Sequence, residues 1–127
     1  MSTASRRDDA PELYCVELRT AGWEQSVEWY RQALGLRVLV RVTDDQYALL
    51  SAGETRLAIL ARSSPGEPTR RISLAFEVRD LWTAVTRLQA AGAAIEYPKP
   101  DAEGLREITV SDPDGNRIRL FAWPRGR

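Results

Sequence analysis

Positions 1–12 are polar and charged with no periodicity, and apolar order begins at Leu13. The chain is therefore expected to open with a flexible arm and to fold from residue 13 onward. "YCVELRT" then alternates, with Val16 and Leu18 on one side and Cys15, Glu17 and Arg19 on the other, the period of a strand with one apolar face. "GWEQSVEWYRQALG" changes period. Trp23, Val27, Tyr30 and Leu34 recur at helical spacing, Gly22 stands at the N-cap position, and Gly35 is a C-terminal stop. "LRVLVRV", "QYALLS" and "TRLAILA" follow as three short strands separated by "TDD" and "AGE" turns.

After the turn-rich stretch 63–70 the order repeats. "ISLAFEV" reads as a strand, and "DLWTAVTRLQAAG" as a helix with Asp80 as N-cap, Leu81, Ala84, Val85 and Leu88 as its apolar stripe, and Gly92 at its end. Strands at 94–97, 106–110 and 117–123 complete the second set. The halves superpose at an offset of about 58 positions, the distance from Val16 to Leu74; Leu18 then falls on Phe76, Trp23 on Leu81, Val27 on Val85 and Tyr30 on Leu88. Such regularity implies an internal duplication of a strand-helix-strand-strand-strand unit. Trp23 and Tyr30 belong to the expected core, whereas Trp29 and Trp82 lie off the buried stripes.

Composition narrows the function. The chain has 127 residues, enough for one domain with a sizeable core. Lys and Arg number 18 against 18 Asp and Glu, a balance that argues against a nucleic-acid surface. No apolar run approaches the roughly 20 residues that span a bilayer, and no apolar stretch follows the N-terminal arginines, so a cytoplasmic location is expected. A single cysteine, Cys15, excludes an intrachain disulfide. Histidine is absent, which removes the commonest base near neutral pH and the commonest transition-metal ligand.

The doubled unit, with "SVEWYRQALGL" in its first helix and "SDPDGNRIRLF" at its last hairpin, resembles the vicinal oxygen chelate superfamily of glyoxalases, extradiol dioxygenases and bleomycin-resistance proteins. The resemblance implies an α+β fold. Two tandem βαβββ modules, about 13–62 and 71–124, would form a curved mixed β-sheet cup with helices outside, joined by a linker at 63–70 in one domain over 13–127. In metal-dependent members each module supplies ligands from its first and last strands. Carried onto this chain, those positions fall on Cys15, Ser73, Ala58 and Arg119, of which only a thiol could ligate. A guanidinium about 4 Å from a divalent ion is repelled by about 8 kcal/mol at an effective dielectric near 20, and arginine does not shed its proton to escape. Neither metal nor cofactor is therefore expected.

What remains is space for an organic guest. The resemblance places Cys15, Glu17 and Arg19, then Arg56, Ala58 and Leu60, on the concave side of the first module. Ser73, Ala75, Glu77, Arg117, Arg119, Phe121 and Trp123 fall on that of the second. Phe121, Trp123 and Tyr47 offer flat surfaces for stacking, and Glu17, Glu77 and Arg119 offer polar anchors; Arg119 either contacts the guest, pairs with Glu17 or Glu77 across the sheet, or does both. The resemblance thus points to a metal-independent homodimer that sequesters an aromatic or polycyclic antibiotic, as bleomycin-resistance proteins do. A competing expectation is a metal-independent isomerase or cyclase with Glu17 or Glu77 as a base raised by burial. Nucleophilic chemistry at Cys15 lacks an activating partner in sequence, so a small buried residue is expected there.

Overall fold

The computed structural model describes residues 9–62, 71–98 and 106–123. The expected linker and most of the expected arm lie outside those residues. Ten elements follow in order: β1 Val16–Thr20, α1 Trp23–Ala33, β2 Arg37–Val42, β3 Tyr47–Ala52, β4 Thr55–Ala61, β5 Leu74–Glu77, α2 Leu81–Ala90, β6 Ile95–Glu96, β7 Glu107–Ser111 and β8 Arg117–Phe121. They form two four-stranded sheets of identical topology, β1-β4-β3-β2 and β5-β8-β7-β6. In each, the first strand runs parallel to the fourth and the other neighbours are antiparallel. This is the α+β, two-module architecture that the duplication implied.

Local chemistry explains the helix boundaries. Gly22 stands at the N-cap of α1 without a side chain to offer, and Thr20 braces the entry to the helix: its Oγ1 accepts from the Gly22 N–H at 3.0 Å and bonds the Ser26 hydroxyl at 3.1 Å. For α2 the Asp80 carboxylate accepts from the Thr83 N–H at 3.2 Å. That helix ends in a Schellman motif, in which Ala93 N–H reaches Leu88 C=O, Gly92 N–H reaches Gln89 C=O, and Gly92 takes φ +76°. Gly35 at φ +73° ends α1, where an added Cβ would stand 3.0 Å from the Arg87 guanidinium.

Each sheet turns one face to a shared core. Leu50, Leu57 and Ile59 from the first sheet and Ile108, Val110, Ile118 and Leu120 from the second join Val27 and Tyr30 of α1 and Val85 and Leu88 of α2 in one cluster. Removing such side chains from water at roughly 25 cal/mol per Å² is the main force holding the modules together. A polar bond crosses between them as well. Tyr30 OH donates to Asp112 Oδ2 at 2.6 Å, joining α1 of one module to the β7–β8 turn of the other. The same carboxylate accepts from the N–H groups of Asp114 and Asn116 and from the Asn116 side chain, so the acid is satisfied although buried. No described helix is long and apolar enough to cross a membrane.

Candidate functional site

Because alternate strand residues point to opposite faces, burying one face in the core turns the other outward. On the first sheet Glu17 stands opposite Ala58, Ala58 opposite Leu49, and Leu49 opposite Val40. The next outward row joins Arg19, Leu60, Tyr47 and Val42. Glu17 and Arg19 pair with each other at 3.2 Å, both half-exposed. Cys15 is half-buried just before β1. Burial, and then the nearby Cys15, Tyr14 and Glu17, push the Tyr47 hydroxyl above the usual phenol range. Arg56 stacks on the Tyr14 ring at 4.5 Å and donates to the Tyr14 carbonyl, which fastens the segment entering β1.

The second sheet carries the other nominated residues. Ala75 stands opposite Arg119, and Glu77 opposite Phe121, with exposed Ser73 just before β5. Arg119 Nη1 donates to Glu107 Oε1 at 3.2 Å, and its guanidinium lies 5.1 Å from the centre of the Phe121 ring. Phe121 meets Trp123 edge to face at 5.5 Å, and Trp123 remains 50% exposed. Arg117 binds both carboxylate oxygens of Glu96, at 3.3 and 3.1 Å.

Two expectations change. The acid that holds Arg119 is Glu107, not Glu17 or Glu77: Glu17 belongs to the other sheet, whereas Glu107 lies diagonally across the antiparallel β7. Cys15 is only partly buried. The structure also brings the nominated residues together in two groups, not one. Cys15, Glu17, Tyr47 and Ala58 share the outward face of the first sheet, and Ser73, Glu77, Arg119, Phe121 and Trp123 that of the second.

A cleft of about 520 Å³ opens between the two modules, lined mainly by apolar residues such as Val16, Leu57, Leu74, Phe76 and Leu120, with Arg56 and Glu77 at its polar margin. Of the residues expected on the concave faces, Arg56, Ala75 and Glu77 line it. Sequence reading had no means of finding this space, since it arises where β1 and β5, the free edges of their sheets, leave a gap.

The arrangement does not fit a metal centre. At the four positions where metal-dependent relatives hold ligands stand a thiol, a hydroxyl, a fully buried methyl group at Ala58 and a guanidinium at Arg119. Among the described residues no group of three or more Cys, Asp or Glu side chains is placed to hold an ion.

Comparison with known proteins gives consistent findings. The model of the Glyoxalase/Bleomycin resistance protein/Dioxygenase superfamily matches residues 13–120. The uncharacterized protein YraH of Bacillus subtilis (strain 168) is 27% identical over 124 residues, covering 87% of this chain and 97% of YraH. Catechol-2,3-dioxygenase of the same organism is 28% identical over 120 residues, which cover 82% of this chain but 41% of that enzyme. In fold, the chain is similar to TnmS3, an antibiotic binding protein from Streptomyces sp. CB03234, with a TM-score of 0.72 at 21% identity, over 91% of this chain and 98% of TnmS3.

Proposed function

Because the chain belongs to the glyoxalase/bleomycin resistance protein/dioxygenase superfamily, we propose that it is one of that superfamily's binding proteins: a metal-independent cytoplasmic homodimer that sequesters an aromatic or polycyclic natural product. One observation carries the reading. At a position where a metal-dependent relative needs an anion stands Arg119, held by Glu107 and stacked on Phe121, with Trp123 beside it. A guanidinium and flat rings suit an organic guest and repel a cation. The fold shared with TnmS3 supports the same reading.

The layout supports a homodimer. The two outward faces belong to separate sheets, and each sheet ends on a free strand, β1 or β5. A twofold pair sets the first-module face of one protomer against the second-module face of its partner, giving two equivalent sites. In this arrangement Cys15, Glu17, Tyr47 and Ala58 meet Ser73, Glu77, Arg119, Phe121 and Trp123 of the partner subunit. Light scattering at micromolar concentration is expected to return twice the chain mass.

The isomerase or cyclase reading is the weaker one. It requires a carboxylate raised by burial, whereas Glu17 is half-exposed and paired with Arg19, and Glu77 is exposed. Thermal denaturation against a panel of aromatic antibiotics, with and without divalent metal ions, separates the possibilities. Ligand at 100 times its dissociation constant adds about 2.7 kcal/mol, roughly a 10 °C rise for a chain of this size. The rise is expected without metal, with the ligand recovered unchanged. Stabilisation only by metal, or catalytic conversion of the ligand, overturns the proposal.

A further inference from the structure

The cleft between the modules runs along the free edge of β5, because Leu74, Ala75, Phe76, Glu77 and Val78 line it in unbroken succession. Neighbouring residues of a strand face opposite sides, so they share one lining only where the space meets the strand edge-on. The ladder decides which backbone groups meet that space. In a strand the N–H and C=O of one residue point to the same side, and those of the next residue to the other. Val78 N–H donates to Phe121 C=O at 2.8 Å, toward β8. Leu74 and Phe76, in phase with Val78, turn their groups to β8 as well, and Ala75 and Glu77 turn theirs to the cleft. Among the described residues nothing pairs with them there.

The matching edge of the first module is guarded. Glu17 and Arg19 stand where β5 has Ala75 and Glu77, and their ion pair at 3.2 Å places two charges beside the edge of β1. Charged side chains keep other strands off an edge. At the first of these positions β5 carries only the methyl group of Ala75.

An unpaired edge beside apolar walls suits a guest with its own alternating donors and acceptors. A flat polycycle would strip water from the Ala75 and Glu77 backbone and return no bonds. An extended peptide returns them, and its aliphatic side chains pack against Val16, Leu34, Leu57 and Leu120. The volume of about 520 Å³ lies within the roughly 300 to 1,000 Å³ of small-ligand sites. The four residues of β5 cover about 13 Å at about 3.3 Å each, the reach of an extended tetrapeptide. Arg56 and Glu77 at the margin carry opposite signs, matching the two charged ends of such a chain.

We infer that the cleft is a second binding site, which takes a short aliphatic peptide in extended form as a strand added to β5. It is separate from the outward faces that carry the sequestration reading, and neither depends on the other.

Calorimetric titration of the intact protein tests this with the free-ended tetrapeptide Val-Ala-Leu-Val and two isomers, methylated on the backbone nitrogen of the second or of the third residue. Peptide N–H groups alternate in direction too, so one isomer is expected to bind as the parent does and the other at least about tenfold more weakly. Ala75→Pro removes an N–H that faces the cleft and no ladder bond, a placement that edge strands tolerate. It should melt near wild type and bind the peptide at least about tenfold more weakly, whereas Ala75→Val keeps the affinity. Equal affinity for the two methylated isomers, or undiminished binding by Ala75→Pro, overturns the inference. So does absence of binding by the parent peptide, including the case in which a second copy covers the edge and protects the Ala75 and Glu77 amides from hydrogen exchange. Should Ala75→Pro fail to fold, the methylated pair decides alone.

Discussion

Tyr30→Phe deletes a single oxygen at the seam between the modules. Tyr30 is 1% exposed, and its hydroxyl donates to Asp112 Oδ2 at 2.6 Å, a short bond to a buried carboxylate. Bonds to charged groups contribute about 1.5 to 3 kcal/mol each. The substitution leaves the ring packing in place, and Asp112 retains the Asp114 N–H, the Asn116 N–H and the Asn116 side-chain donor. The acid is weakened but not orphaned, so a loss of about 2 kcal/mol is expected, roughly 6 to 10 °C in Tm. Asp112→Ala removes the acceptor of all four donors and strands the Tyr30 hydroxyl, for about 4 kcal/mol. In the double variant the losses should fall short of additivity by about 2 kcal/mol, because the second change removes a bond already lost.

Alkaline pH supplies an independent check on the same bond. Burial, and then the charge and hydrogen bonding of Asp112, raise the Tyr30 hydroxyl far above the ordinary phenol value of 10.0. Below pH 10 the phenol is neutral in both states, and the stabilisation is fully present. Above pH 10 the unfolded chain loses this proton while the folded chain keeps it, so stability falls by about 1.4 kcal/mol per pH unit. The phenyl ring of the Tyr30→Phe variant has no proton to lose. The gap between wild type and Tyr30→Phe in urea unfolding should therefore narrow above pH 10 at that slope, the remaining tyrosines cancelling between the two proteins. A gap under about 0.5 kcal/mol at pH 7, or one that widens with alkalinity, refutes the assignment of this bond.

Phe121→Ala and Trp123→Ala should each weaken capture of a bound polycycle by about 2- to 10-fold, the value of one aromatic contact, with little change in Tm, as read by fluorescence titration and melting in parallel. Asp80→Ala, which removes the N-cap of α2, should cost about 1 kcal/mol in urea unfolding, and Asp80→Asn much less. Gly35→Ala should destabilise by about 1 to 2 kcal/mol, chiefly because φ +73° suits glycine; the Arg87 guanidinium, at the end of a flexible side chain, can move aside for the new methyl group.

Much of the fold is legible in the chain because each module repeats the same local rules. Val16 and Leu18 alternate with Glu17 and Arg19 as the strand period demands, and Trp23, Val27 and Tyr30 return on one helical stripe that the structure buries. Strand ends are less legible. The second strand of the latter module shrinks from the expected 94–97 to Ile95–Glu96, and its last strand stops at Phe121, since pairing with neighbours, not residue preference, decides where a ladder ends. Tyr30 reads from sequence as core and nothing more. Its acceptor, Asp112, lies 82 positions away, and only the packing of α1 against the β7–β8 turn brings the two together.

The outward faces follow the same division. First and last strands carry the resemblance to metal-binding relatives, so their residues were assignable, but the middle strands carry none of it. Glu107 on β7 and Glu96 on β6 were therefore invisible as partners of Arg119 and Arg117, although the alternation Glu107, Thr109, Ser111 already puts them on the face of Arg119 once the register is known. Register is the quantity that sequence lacks, because a one-residue slip sends every side chain to the opposite face. With register fixed, the duplication itself becomes informative. Two copies of one unit retain the same inner, core-forming pattern, since both must pack against a helix. Their outer faces, free of that constraint, have diverged: Ala58, Leu49 and Tyr47 of the first module stand where the second has Arg119, Thr109 and Glu107. Packing thus leaves the outer faces, and not the shared core, open to selection by a bound guest.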